Sequence, residues 1–302
     1  MASVERKEAA PRGLAVWVLA ARPKTLGAAL GPVVIGTALA VGDNGFHLLA
    51  AVAALFGAIM IQIATNYAND YFDFKSGADK GERLGPTRAT QAGWVSPSAM
   101  KRATMFAFGL AFCAGIYLVS RGGWPIVAIG LSSILFGILY TGGPYPLGYN
   151  GLGELFVIIF FGPVAVAGTY YVQTLQFSWL PVLVGLSPGL FSVGILTVNN
   201  LRDIAGDRQS GKRTLAVRLG ASFARWEYTV CIVGAILLPI VVALSLSPPR
   251  LWTLLALITL ASAVAPIRAV FVQSGRALND VLAATGRLLV MYALFFSIGW
   301  LL

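Results

Sequence analysis

An all-α protein that crosses a membrane many times is what this sequence predicts, and three observations carry the prediction. Of 302 residues, 57% are hydrophobic and only 11% charged, with a mean hydropathy of +0.78, outside the range of soluble globular domains. The apolar residues gather into runs of about 20, the length at which a helix rising about 1.5 Å per residue covers a hydrocarbon core about 30 Å thick. The basic residues fall almost entirely on one side of these runs, as the positive-inside rule requires.

Nine spans are expected, at residues 25–41, 48–69, 101–120, 123–140, 153–171, 179–199, 226–246, 251–272 and 281–301, within a single domain covering 1–302 whose N-terminal stretch 1–13 is a flexible tail. The opening MASVERKEAAPRG mixes acids with bases and has no apolar core followed by a small-residue cleavage site, so a removed signal peptide is not expected. Residues 14–21 are apolar but too short to cross. Followed by Arg22, Pro23 and Lys24, they read as an interfacial helix leading into span 1. Arg22 and Lys24 then stand at the mouth of span 1, available to lipid headgroups or to a substrate. Gly27 and Gly31 form a GxxxG, a sign of close helix packing. His47, the only histidine, reads as a solvated loop residue at the start of span 2.

Span 2 ends in QIATNYAND, where Gln62, Asn66 and Asn69 are costly in hydrocarbon unless they face a polar cavity. The loop over residues 74–100 is long and basic, brings Arg83 and Arg88 near the acids, and closes on Ser96 and Pro97, an N-cap and first-turn pair for span 3. The loop after span 4, YTGGPYPLGYNGLG, has the Gly and Pro of tight turns. Glu154 opens span 5, where an acid in the first turn is favourable. After span 6 come Lys212, Arg213 and Arg218, and after span 8 Arg276 and Asp280. Cys113 and Cys231 fall inside spans as packing residues, spaced neither as metal ligands nor as a redox pair.

Of the 22 basic residues, only Arg121 and Arg250 lie on the side opposite the N-terminus and the loops after spans 2, 4, 6 and 8. That makes the N-terminal side cytoplasmic and puts the C-terminus outside. The net charge of +10 is then a topological signal that calls for no nucleic-acid partner.

Against this basic background the acids are concentrated. NYANDYFDFKSGADKGER, residues 66–83, holds Asp70, Asp73, Asp79 and Glu82, and NNLRDIAGDRQSGKR, residues 199–213, holds Asp203 and Asp207. Asn69 precedes Asn199 by the same interval as Asp73 precedes Asp203, so the two stretches register as copies of one element, consistent with two four-helix halves in parallel orientation plus a ninth helix. Acids at a helix C-terminus oppose the macrodipole unless a cation offsets it. Oxygen-rich clusters without His or Cys suit hard cations. Mg²⁺ typically takes one or two carboxylates and leaves substrate phosphates and water to complete its octahedron. Two facing clusters can hold Mg²⁺ on both sides of one diphosphate, with Arg and Lys neutralising the rest. No GxxxxGKS or GxGxxG phosphate loop is present. A diphosphate carrying a long hydrocarbon explains a site at the membrane edge. Its departure leaves an allylic cation for aromatic faces such as Tyr67, Tyr71 or Tyr140 to stabilise. A transporter also breaks helices and buries polar groups, but it places them near the bilayer midplane in inverted repeats.

The two aspartate motifs resemble those of the UbiA superfamily of intramembrane aromatic prenyltransferases, and the similarity extends from ARPKTL at Ala21 to the ninth span. Within it, NDYFDFKSGADK, GPTRATQAG, GLGELF and NNLRDIAGDRQSGKRTLAVRLG resemble the bacterial branch that prenylates 1,4-dihydroxy-2-naphthoate in menaquinone synthesis. Hydroxybenzoate-type members place a third acid four residues after the second; here position 77 is Gly and the acid is Asp79. The resemblance implies a nine-helix bundle around a central cavity, capped on the cytoplasmic side by the loops after helices 2 and 6 and embedded in the plasma membrane of a bacterium. It implies Mg²⁺-dependent transfer, with two ions, of a polyprenyl group from polyprenyl diphosphate to dihydroxynaphthoate, with loss of diphosphate and CO₂, giving demethylmenaquinone. By it, Asp70, Asp73, Asp203 and Asp207 bind metal with Asn69, Asn199 and Asp79 in support. Arg88, Lys212, Arg213 and Arg83 contact diphosphate, and Arg22, Lys24, Gln62 and Asn66 flank the acceptor. Transfer to 4-hydroxybenzoate, homogentisate or chlorophyllide is the alternative within the superfamily.

Overall fold

The computed structural model describes residues 11, 13–77 and 84–302, and among these every regular element is helical. The α-helices are α1 (Leu14–Ala20), α2 (Gly27–Gly42), α3 (Leu48–Ser76), α4 (Pro97–Gly122), α5 (Trp124–Leu139), α6 (Gly153–Phe160), α7 (Pro163–Thr174), α8 (Trp179–Gln209), α9 (Leu215–Ser245), α10 (Thr259–Val272) and α11 (Leu278–Leu301). Short 3₁₀ turns lie at Pro23–Thr25, Leu147–Tyr149, Leu251–Ile258 and Gly275–Ala277. Seven described helical stretches are long and apolar enough to cross a membrane, and α1 with α2, bent by 57°, makes an eighth. The chain is therefore a multi-span membrane protein. The expectation of nine differs at α5. It is apolar but has 16 residues, about 24 Å of helix against a hydrocarbon core of about 30 Å.

The ends of the spans differ from their expected places for one physical reason. Apolarity stops where a helix leaves the hydrocarbon, but backbone hydrogen bonding continues, so α3 runs on to Ser76 and α8 to Gln209. Asp70, Asp73, Asp203 and Asp207 thus ride on helix rather than loop. Gly77, at a φ of 70°, supplies the left-handed C-cap that stops α3. The expected cap of α4 is present, with the Ser96 hydroxyl accepting from the Ala99 N–H. His47 caps α3 in the same manner, its Nδ1 accepting from the Ala50 N–H at 3.2 Å. α9 starts well before residue 226, at Leu215 after a Thr214 cap, and breaks at Gly220, whose φ is 90°.

The offset between the motifs extends beyond them. It carries α2 onto residues 157–172, inside the α6–α7 stretch Gly153–Thr174, and α5 onto 254–269, inside Leu251–Val272. α8 is fixed by α9 and α11 through a buried cluster that includes Ile195, Val198, Tyr228, Ile232, Leu289 and Tyr292. Hydroxyls tie the same helices: Tyr292 donates to Ser187, Ser187 to the Ala235 carbonyl, and the Tyr228 and Thr285 hydroxyls hydrogen-bond each other at 2.8 Å. α11 also lies on α2, where Gly27 and Gly31 face Val290 and Leu289, the close approach that GxxxG predicts. Cys231 is buried as expected; Cys113 instead is exposed on the outer surface of the bundle.

Candidate active site

A cavity of about 990 Å³ lies inside the bundle. One end is polar, bordered by Arg22, Asn66, Asn69, Asp73, Arg88, Tyr149, Asn199, Asp203, Asp207 and Lys212; the other is apolar, bordered by Ala54, Gly57, Val119, Ile126, Gly130 and Val172. The α1–α2 elbow closes over the polar end. Asn66 donates to the Ala21 carbonyl at 2.9 Å and to Thr25 at 3.4 Å, and Gln62 reaches Thr25 at 3.5 Å. Arg22, at the bend with a left-handed φ of 54°, borders the cavity; Lys24 is exposed and does not.

At 3.6 residues per turn, Asn69 stands about 40° round the helix from Asp73, Asp70 about 60° the other way, and Tyr67 and Tyr71 about 120° and about 160° away. That rotation decides what each residue does. Asp73, buried on the cavity side, pairs with the Arg88 guanidinium, accepts from the Tyr149 hydroxyl, and has the Lys212 ammonium 3.5 Å away. Arg88 also donates to the Asn69 carbonyl at 2.5 Å, and Thr141 donates to the Asn69 side chain at 2.8 Å. Asp70 turns to the loop instead, its two oxygens accepting from the Ala89 and Thr90 N–H groups at 2.9 and 3.2 Å, and it does not border the cavity. Tyr67 packs under α1, donating to the Trp17 carbonyl, and Tyr71 packs beside it. Of the three tyrosines expected at an allylic cation, only Tyr140 borders the cavity.

The second motif is arranged on α8 with Asn199, Asp203 and Asp207 along one face, about 40° apart in succession. Arg202 forks onto Asp203 at 2.8 and 2.5 Å. Lys212 stands 3.7 Å from Asp207 and 4.6 Å from the centre of the Tyr149 ring. Burial and the adjacent Asp73 charge push the Tyr149 hydroxyl's pKa up, so it stays protonated and donates. The cations that offset the motif acids against the helix dipole are thus identified: Arg88 and Lys212 for the first motif, Arg202 and Lys212 for the second.

Several expectations change. Arg213 is exposed and contributes its backbone, its N–H reaching the Tyr149 carbonyl at 2.6 Å. Asp79 and Arg83 lie outside the described residues. Tyr149, Thr141 and Arg202 are site residues that the sequence reading missed. The first two sit in the Gly- and Pro-rich loop after α5, whose turn chemistry masks them; their signal was a hydroxyl-bearing loop emerging on the same face as both acid motifs.

Five oxygen-bearing side chains, Asn69, Asp73, Asn199, Asp203 and Asp207, border the cavity with no His or Cys among them. This donor chemistry fits a hard cation such as Mg²⁺. Among the described residues no three His, Cys, Asp or Glu side chains are close enough to hold an ion alone.

Residues 29–301 match the model of the UbiA prenyltransferase family. The chain is 39% identical over 280 residues to the 1,4-dihydroxy-2-naphthoate octaprenyltransferase of Mycobacterium tuberculosis, covering 93% of this chain and 94% of that one. To the 1,4-dihydroxy-2-naphthoate octaprenyltransferase of Haemophilus influenzae it is 35% identical over 300 residues, 96% of each. Its fold matches that of a UbiA homologue from Archaeoglobus fulgidus bound to GPP and Mg²⁺ with a TM-score of 0.68, at 12% identity over 95% of this chain and 99% of that one. Paired aspartate motifs on α3 and α8 around one cavity, and a match over nearly the whole chain, lead to one conclusion: the protein belongs to the UbiA prenyltransferase family.

Proposed function

We propose that the protein transfers a polyprenyl group from its diphosphate to 1,4-dihydroxy-2-naphthoate. The observation that carries this reading is the continuity of the cavity from an oxygen- and cation-lined end to an apolar interior, which matches a donor with a diphosphate head and a hydrocarbon tail. The identity to two dihydroxynaphthoate octaprenyltransferases supports the acceptor. The allylic C–O bond breaks with its electron pair on the departing diphosphate. A ring electron pair forms the new C–C bond, and loss of CO₂ restores the aromatic ring. Asn69, Asp73, Asn199, Asp203 and Asp207 would hold Mg²⁺, which the A. fulgidus homologue binds and which would make diphosphate a better leaving group.

Arg88 and Lys212 then exchange their present carboxylate partners for diphosphate oxygens, Tyr140 offers its ring face to the developing cation, and Arg22, Gln62 and Asn66 flank the acceptor. Asp70 serves by holding the loop that carries Arg88. We further read the chain as one domain of nine spans, counting α2 and α5, in two four-helix halves plus α11, with the N-terminus and acid motifs cytoplasmic. The test is product analysis by mass spectrometry of purified protein given one polyprenyl diphosphate and four acceptors. Prenylated, decarboxylated naphthoquinol is the expected product; transfer only to 4-hydroxybenzoate, homogentisate or chlorophyllide would overturn the acceptor assignment.

A further inference from the structure

The second motif contains a buried cation that the reaction described above does not use. The Arg202 side chain is 1% exposed. Beyond its fork on Asp203, its Nη2 donates to Asn199 Oδ1 at 2.6 Å and its Nη1 to Asn279 Oδ1 at 2.8 Å. Asn279, in the first turn of α11, directs its amide nitrogen the other way, to the Leu84 carbonyl at 3.0 Å. At the next residue, Gly85, a Cβ would come within 2.7 Å of the Arg202 Cζ, so a side chain there would push the guanidinium out of this arrangement. Three residues further on, Arg88 reaches Asn69 and Asp73. A continuous line of contacts therefore runs from Asp203 through Arg202, Asn279 and Leu84 to Arg88 and Asp73.

We propose that Arg202 and Asn279 are positioning residues that clasp the loop 84–92 to the second motif, so that Arg88 is presented to the donor in register with Asn199 and Asp203. This rests on reading the cavity as a prenyl diphosphate site. A guanidinium this buried needs an acceptor for each donor, which fixes two motif side chains and one α11 amide in a single arrangement. The fork sets the plane of the Asp203 carboxylate, and each oxygen keeps a second lone pair for the cavity. The loop is then anchored twice, by Asn279 at Leu84 and by Asp70 at Ala89 and Thr90. Each anchor comes from a different part of the bundle.

The test pairs hydrogen–deuterium exchange with steady-state kinetics on the full-length protein in detergent. Asn279→Asp keeps an acceptor for Arg202 and removes the donor to Leu84. It is expected to speed exchange across residues 84–95 about tenfold while α8–α9 core exchange stays unchanged, and to raise the KM for polyprenyl diphosphate about fivefold with the acceptor KM within about twofold. Arg202→Lys, which keeps charge but not the fork, should lower kcat as well. Unchanged loop exchange and unchanged donor KM in Asn279→Asp and Asn279→Ala would overturn the clasp, as would a rise in exchange spread evenly over the whole protein. The loop measurement needs no turnover, so a wild type that transfers nothing to naphthoate while Asn279→Asp loosens the loop would overturn the functional reading alone.

Discussion

Asp73 and Asp203 occupy the same place in two copies of one motif and are held in opposite ways. Asp73 is neutralised from a distance: Arg88 comes from the loop after α3, Tyr149 from the loop after α5, and Lys212 from the loop after α8. Asp203 is paired by its own neighbour on the helix, Arg202. The first motif's surroundings exist only once three segments have docked, whereas the second motif's pair forms with α8 itself. A repeated sequence has thus become a fixed half and a conditional half, and the residues that make the first one conditional, Arg88, Tyr149 and Lys212, all border the cavity.

The largest test of that contrast is the pair Asp73→Ala and Asp203→Ala. Each is expected to lower kcat by at least about 100-fold, as loss of a group that acts on developing charge does. Asp73→Ala should expose the loop 84–95 to limited proteolysis more than Asp203→Ala does, because it releases Arg88 directly whereas Asp203→Ala acts on the loop only through Arg202 and Asn279; equal cleavage of both variants would remove the distinction. A smaller effect is expected for Asp70→Ala, which leaves two buried N–H groups without their acceptor at about 1–3 kcal/mol each. Thermal unfolding of the purified protein should show a lowered midpoint that Asp70→Asn restores only in part, because its amide offers one acceptor oxygen to the two N–H groups. A midpoint at the wild-type value would place the Ala89 and Thr90 amides in water. The smallest effects separate two arginines that the sequence treats alike. Arg88→Lys should raise the donor KM several-fold by losing the guanidinium fork, whereas Arg213→Lys should stay within about twofold because only its backbone N–H is engaged. Equal KM shifts for the two variants would return the Arg213 side chain to the site.

Much of this arrangement was legible in the sequence. Hydropathy located the helices, and the shared register of the two motifs located the cavity between them, because a membrane makes polar residues on apolar helices conspicuous. Asn66 and Gln62 were found on that ground, and Arg88 and Lys212 by their places downstream of the two motifs and by the resemblance to the family. What sequence spacing does not report is rotation and docking. Asp70 reads as the equal of Asp73 until the rotation of the helix between them turns it toward the loop, and Tyr67 and Tyr71 read as site aromatics until the helix carries them to the opposite face. Arg202 was invisible as a site residue because a basic residue beside an acid near a helix end looks like ordinary cytoplasmic charge. Asn279 sits on a different helix, remote from Arg202 in sequence, and carries no motif of its own.

The cavity's extent along α3 bears on how such a protein selects its substrate. Ala54 and Asp73 both border it and stand about 28 Å apart along the helix, so a tail lying there runs beside the acyl chains of the surrounding bilayer and over a similar depth. Each methylene that enters leaves lipid rather than water. It therefore forgoes the roughly 0.8 kcal/mol that transfer from water would contribute, since lipid tails are already as apolar as the protein wall. Affinity should be almost flat with tail length, and preference for one length must arise from shape, at places such as Gly115 and Gly130 where an added Cβ would meet nothing within 4 Å. On the proposed reaction the product would form with its ring at the polar end and its tail along α3, beside the bilayer's own acyl chains.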